Sequence, residues 1–150
     1  MSYIEENIMK GENIVYRCKL HFVIFLWAAI WFIVAIIFSQ GGSAVGYLFI
    51  VIAIATGISS FINYSTSEFG ITNKRLLVKV GFIRRNSIEI LLNKVEGIQV
   101  SQGLLGRILG FGSIMVIGTG GTRYPFHNID APFEFRKQAQ EQIAAVQDSK

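Results

Sequence analysis

Two uncharged apolar runs, separated only by a short polar turn, constrain this chain more than any other feature. Leu20 to Phe38 (LHFVIFLWAAIWFIVAIIF) and Ala44 to Ile62 (AVGYLFIVIAIATGISSFI) contain no Asp, Glu, Lys or Arg. Each is about 19 residues long, close to the roughly 20 that a helix needs to cross a hydrocarbon core about 30 Å thick. Between them lies Ser39-Gln40-Gly41-Gly42-Ser43. Two spanning helices joined this tightly run antiparallel, each pairing its backbone groups internally because lipid offers no water to do so. The first run is too long, and too soon followed by a second, for a cleaved signal peptide. Lys10, Arg17 and Lys19 precede the pair, Lys74, Arg75, Lys79, Arg84 and Arg85 follow it, and the turn is uncharged. The positive-inside bias then predicts a multi-pass protein of the cell membrane with both termini cytoplasmic.

The remainder changes period. After the polar exit Asn63 to Ser67, apolar residues alternate, the mark of half-buried strands. Phe69 and Ile71 share a face; Asn73-Lys74 reads as a tight turn; Leu76, Val78 and Val80 share a face with Arg75 and Lys79 opposite. Gly81-Phe82 is a second turn. Ile88, Ile90 and Leu92 form a third alternating set, and Ile98 and Val100 a fourth. Gln102 to Gly112 (QGLLGRILGFG) interrupts the alternation with a Leu/Ile segment bracketed by glycines, leaving room for one helical turn at Leu104 to Leu109. Ser113 to Ile117 and Thr122 to Phe126 are two more strands about a Gly-rich hairpin. A closing helix is expected with Asp130 as N-cap and Pro132 in the first turn. Its apolar stripe is Phe135, Ala139, Ile143 and Val146. Met1 to Tyr16 is either a surface helix or a strand that joins the later domain. The expected division is a cytoplasmic segment at 1–19, a hairpin at 20–62 with helices at 20–38 and 44–62, and a cytoplasmic domain at 63–150.

Several of these stretches resemble the bacterial membrane-flanked PH-like (pleckstrin-homology-like) domain proteins, in the small two-helix, YdbS-like form. They are Ile71-Thr72-Asn73-Lys74-Arg75-Leu76, Gly81 with Arg85, Ile90 to Val100 and, most specifically, Gln102-Gly103-Leu104-Leu105-Gly106-Arg107-Ile108-Leu109-Gly110-Phe111-Gly112. Gly11-Glu12, Tyr16, His21 and Pro132 fit as well. The resemblance implies an α+β membrane protein: a transmembrane hairpin followed by a bent antiparallel sheet or barrel closed by a C-terminal helix. The resemblance adds architecture more than activity; with the hairpin as a tether, the expected function is a non-enzymatic, membrane-anchored interaction module for membrane-resident protein partners or copies of itself. The alternatives are an anionic lipid headgroup sensor and an accessory subunit of a membrane transporter or enzyme. Phosphoinositide binding is not carried over, because the connection between the first two strands is read as Asn73-Lys74, too short to cage an inositol phosphate.

The residues argue against catalysis and cofactors. Two histidines and one cysteine cannot build a closed His/Cys metal site. Cys18 has no base near it in sequence and reads as an inert thiol. The Gly-rich segment ending at Gly112 lacks the Gly-Lys-Ser/Thr close of a phosphate loop. A net charge of +4 with no aromatic-basic platform speaks against nucleic acid. His21 reads as an imidazole at headgroup level rather than a buried proton relay. Trp27 and Trp31 read as packing residues. The cluster Lys74, Arg75, Lys79, Arg84 and Arg85 is either a solvated face that sets topology or a lipid-facing surface. Arg107 contacts a partner or lipid phosphate, or hydrogen-bonds carbonyls of its own turn; its rigid fork of donors favours the second. Gly46, Ala53, Gly57 and Ser60 line one face of the second helix, and Ala28 and Ala35 one face of the first. Such small-residue faces let helices approach closely in lipid, either within the hairpin or against another chain, and the first is favoured.

Overall fold

The alternating stretches become antiparallel strands in the computed structural model, which describes residues 3–40, 44–81 and 86–148. A short helix α1 (Tyr3–Glu6) leads into β1 (Ile14–Cys18). The hairpin helices α2 (Leu26–Ser39) and α3 (Ala44–Thr66) follow, with a 3-10 turn at Phe22–Phe25 before α2. β2 (Glu68–Thr72), β3 (Arg75–Val80) and β4 (Asn86–Leu91) then complete one sheet in the order β1-β2-β3-β4. β5 (Val95–Ser101), β6 (Phe111–Gly118) and β7 (Arg123–Asp130) make a second, with α4 (Leu104–Leu109) between β5 and β6 and α5 (Pro132–Asp148) at the end.

The boundary expected at residue 63 cuts through a sheet. β1 pairs with β2, Cys18 opposite Phe69 and Arg17 opposite Gly70. The N-terminal segment is therefore both a helix and a strand, and the hairpin is an insertion between the first two strands. This also corrects the loop assignment: Asn73-Lys74 is the β2–β3 turn, and the β1–β2 connection is the hairpin itself, which has no Lys or Arg from Leu20 to Thr66. The two sheets do not close into one barrel. Among the described residues they are joined by one bridge, Leu20 opposite Ile129, flanked by His21 N–H to Asn128 O at 2.7 Å and Asp130 N–H to Lys19 O at 3.1 Å.

Between the sheets lies the core. Phe69, Ile71, Leu76, Leu92, Ile114, Ile129 and Phe135 are fully buried, each contributing about 1.5–3 kcal/mol by leaving water. α5 lays Phe135 and Ala139 into it, with Ile143 and Val146 packed at the margin, the stripe expected from their spacing. Its start differs from the expectation. Asp130 ends β7, and the carbonyl of Ala131, held at φ 44°, receives the N–H groups of Glu134 and Phe135.

In the hairpin the small-residue faces meet each other. A side chain at Gly46 would come 2.8 Å from the Ser39 Cα, one at Gly57 would sit 3.9 Å from Ala28 Cβ, and Ser60 Oγ donates to Ile24 O at 3.1 Å. Ala35 and Ala53 are buried on the same seam. Trp31 packs as expected, stacked on Phe49, but Trp27 points outward and is 68% exposed.

Candidate functional site

Where the hairpin meets the sheets, the corner left open between them forms a cleft of about 410 Å³, within the range of ligand sites. Leu20, Ile24, Phe69, Val80, Ile88 and Phe126 supply its apolar walls, and Ser60, Asn63, Asn86, His127 and Asn128 its polar rim, with Pro125 beside them. Chain continuity places these groups. β1 runs on through Leu20 to His21, whose Nδ1 accepts from Val23 N–H at 3.2 Å and so caps the 3-10 turn that starts the hairpin. His21 is buried between Phe22 and Phe111, its ring 5.2 Å from that of Phe111, so it is a packed capping residue. Across the cleft Asn128 adopts φ 57° beside a register shift in the β6–β7 ladder, and His127 Nδ1 lies 3.0 Å from Ser113 Oγ. Among the described residues, those lining the cleft include no Asp, Glu, Lys or Arg.

Of the basic cluster, Lys74, Arg75 and Lys79 do not line the cleft. Arg75 is buried, its Nε and Nη2 reaching Glu12 at 2.9 and 3.0 Å, with further bonds to the Glu89 carboxylate and the Asn7 carbonyl. Thr72 Oγ1 donates to Glu12 at 2.7 Å. Burial works to raise the Glu12 pKa, but the Arg75 hydrogen bond, with those from Met9 N–H and Thr72, outweighs it and holds the carboxyl at about 2. The same pairing raises the Arg75 pKa against its own burial. Arg75 is therefore a structural ion-pair residue and not part of a lipid-facing surface. Lys79 places its Nζ 4.8 Å from the centre of the Tyr3 ring, and Lys74 stands exposed in the β2–β3 turn. Arg84, Arg85 and the turn residue Phe82 lie outside the described residues. The sequence held one signal of this arrangement. Leu77 shares its face with Arg75 and Lys79, and it too is fully buried, covered where Ile4 packs over Gly70, its partner on β2.

A family profile described as bacterial PH domain matches residues 20–143, from the junction before the hairpin to the third turn of α5. The chain belongs to the bacterial PH domain family. Comparison with curated proteins returned no match. PH-like domains are generally non-enzymatic modules that bind proteins or lipids.

In this bacterial PH domain the Gly-rich segment positions α4. Gln102 Nε2 donates to the carbonyls of Gly106 at 2.8 Å and Phe111 at 2.9 Å. A side chain at Gly106 would strike the Phe111 carbonyl, and Gly110 ends the helix at φ 84° with its N–H on Gly106 O. Gln102 thus does the clamping expected of Arg107, whose exposed side chain makes no hydrogen bond or ion pair among the described residues. Cys18 is buried and free, and its pKa is pushed up to about 12 by burial and then by Asp130, which leaves little thiolate for chemistry. Gly46, Ala53, Gly57 and Ser60 serve the hairpin seam. No group of three or more His, Cys, Asp or Glu residues that could hold a metal occurs among the described residues.

Proposed function

We propose that this bacterial PH domain is a membrane-anchored interaction module whose cleft docks an uncharged segment of a membrane-resident protein partner. The carrying observation is the make-up of the cleft. Its walls come from the hairpin and from both sheets, and its described lining has no cation to meet a phosphate. A bound segment would therefore lie where the hairpin leaves the bilayer, and tethering there raises the effective concentration of any partner in the same membrane. Two features support the membrane reading. Phe22–Ser39 and Ala44–Thr66 are long and apolar enough to span, and only 6% and 11% of their apolar windows are buried within the chain. The hydroxyls of Ser39, Thr56, Ser60 and Thr66 each donate to a backbone carbonyl, as a lipid setting requires. The distribution of Lys and Arg supports cytoplasmic termini.

A photo-crosslinking residue at Asn86, on the rim, tests the reading in intact membranes of cells making the full chain. The expected result is a discrete protein adduct that disappears when Ile88→Arg places a charge in the cleft, while the same probe at Glu96 yields none. Adducts to lipid alone, lost on Arg84→Glu with Arg85→Glu, would replace the partner-binding reading with the headgroup-sensor reading.

A further inference from the structure

Among the described residues outside the hairpin, α4 carries the most exposed aliphatic side chains, Leu104 and Ile108. Leu104 is 81% exposed, Leu105 62%, Ile108 79% and Leu109 45%. These four cover one face of a helix that has little freedom to turn them inward, because its other face holds Gly106 against the Phe111 carbonyl and Gln102 ties the Gly106 and Phe111 carbonyls together. The position of α4 relative to the hairpin is equally determined. Phe111 follows directly on α4, and its ring stacks on His21, the residue that caps the start of the hairpin; the ring of Phe22, itself 61% exposed, lies 4.0 Å from that of His21 on the way into α2. The Gly110 carbonyl is tied to Ala131 N–H, next to the Lys19–Asp130 link that joins β1 to β7. These contacts place α4 beside the residues at which the hairpin begins.

We propose that α4 dips into the bilayer surface, with Leu104, Leu105, Ile108 and Leu109 among the headgroups and upper acyl chains and Arg107 at phosphate level. This rests on the membrane-anchored reading of the hairpin and adds a second contact to it. A two-helix anchor alone leaves the whole body free to tilt against the bilayer normal. A second apolar foothold sets the angle of the domain and, with it, the height of the cleft above the lipid. Arg107 fits that depth, since a long cationic side chain keeps its stem on apolar surface and its head in the polar layer.

Spin labels on single added cysteines test this in the full chain reconstituted into phosphatidylcholine–phosphatidylglycerol liposomes, with the buried Cys18 retained. Ile108→Cys reports α4, Val51→Cys the middle of α3, and Glu96→Cys the end of β5 away from α4. The expected result is that the Ile108 label, like the Val51 label, collides with oxygen several-fold more than with a water-soluble nickel chelate, while the Glu96 label shows the reverse. An Ile108 label as open to nickel as the Glu96 label, with the Val51 label in hydrocarbon, would overturn the α4 proposal and leave the anchor standing. An Ile108 label shielded from both collision partners would assign the face to a second copy of the chain and overturn the proposal equally. A Val51 label open to nickel would overturn the anchor and the α4 contact together.

Discussion

The hairpin and the sheets are both rich in Ile, Leu, Val and Phe, yet they place them oppositely. In α2 and α3 the buried positions are Ala35, Gly46 and Ala53, while Phe32, Ile33, Val51, Ile54 and Phe61 point outward. In the sheets the buried positions are Phe69, Ile71, Leu76, Ile114 and Ile129, and the outward ones are mostly polar. On the membrane-anchored reading proposed above, the surrounding medium rather than residue type decides burial. Water drives large apolar groups together. Lipid gives them no such reason to leave it, so helices there associate through close backbone approach at small residues. The two arginines repeat the contrast on a smaller scale, with Arg75 inside a carboxylate pair and Arg107 on an exposed apolar helix.

The largest expected effect breaks the arginine contrast. Arg75→Met leaves Glu12 buried without its counter-charge and should cost about 3–5 kcal/mol, whereas Arg107→Met should stay within about 0.5 kcal/mol. Denaturant unfolding in detergent, followed by the β-sheet circular dichroism signal, measures both. The same pair carries an acid dependence. The Glu12 pKa of about 2 lies below its ordinary 4.5, so its contribution is full above about 4.5 and is lost as pH falls toward about 2. Glu12→Gln should flatten that limb of the stability profile; an unchanged limb would mean that the pair is not the acid-sensitive element.

Next in size is the contrast of apolar burial. Leu76→Ala empties a site between the sheets and should cost about 2–5 kcal/mol, while Ile54→Ala on the outer face of α3 should change stability by no more than about 0.5 kcal/mol. Equal losses in the same unfolding assay would show that the outside of the hairpin is covered by protein rather than lipid.

The smallest effect sharpens the account of the seam. At Gly46 an added methyl would sit 2.8 Å from the Ser39 backbone, so Gly46→Ala should lower thermal stability by about 1–3 kcal/mol through overpacking. At Gly57 the nearest atom would be 3.9 Å away, and Gly57→Ala should be neutral or stabilising by up to about 1 kcal/mol through lost backbone freedom. The reverse order would mean that the helices cross at a different point along the hairpin.

Much of the fold was readable residue by residue. Alternation located β2, β3 and the core face of β4. The spacing of Phe135, Ala139, Ile143 and Val146 located the buried stripe of α5, and the glycines around Leu104 to Leu109 located α4. Far less of the site was readable. The cleft is assembled from Leu20, Ile24, Ser60, Val80, Asn86 and Phe126, residues from six parts of the chain that share no local pattern. Alternation places Arg75 on an outward face, solvated or lipid-facing, because it reports which face a side chain takes and not what covers that face. Gln102 was passed over in favour of Arg107 because an uncharged side chain that clamps two carbonyls has no signature beyond its place next to a glycine.

The sequence by itself determined the two apolar helices, their antiparallel pairing, the strand periods and the amphipathic stripe of α5, because each follows from interactions between residues near in the chain or from the length of an uncharged run. Only the tertiary structure decided that Ile14–Cys18 is the first strand of the sheet and the hairpin an insertion after it, that Asn7 and Glu12 reach Arg75 from the N-terminal segment, and that α4 stands beside the start of the hairpin. Those facts depend on hydrogen bonds and ring contacts between segments some fifty to ninety residues apart, and the pairing of two distant backbones leaves no trace in the local order of either.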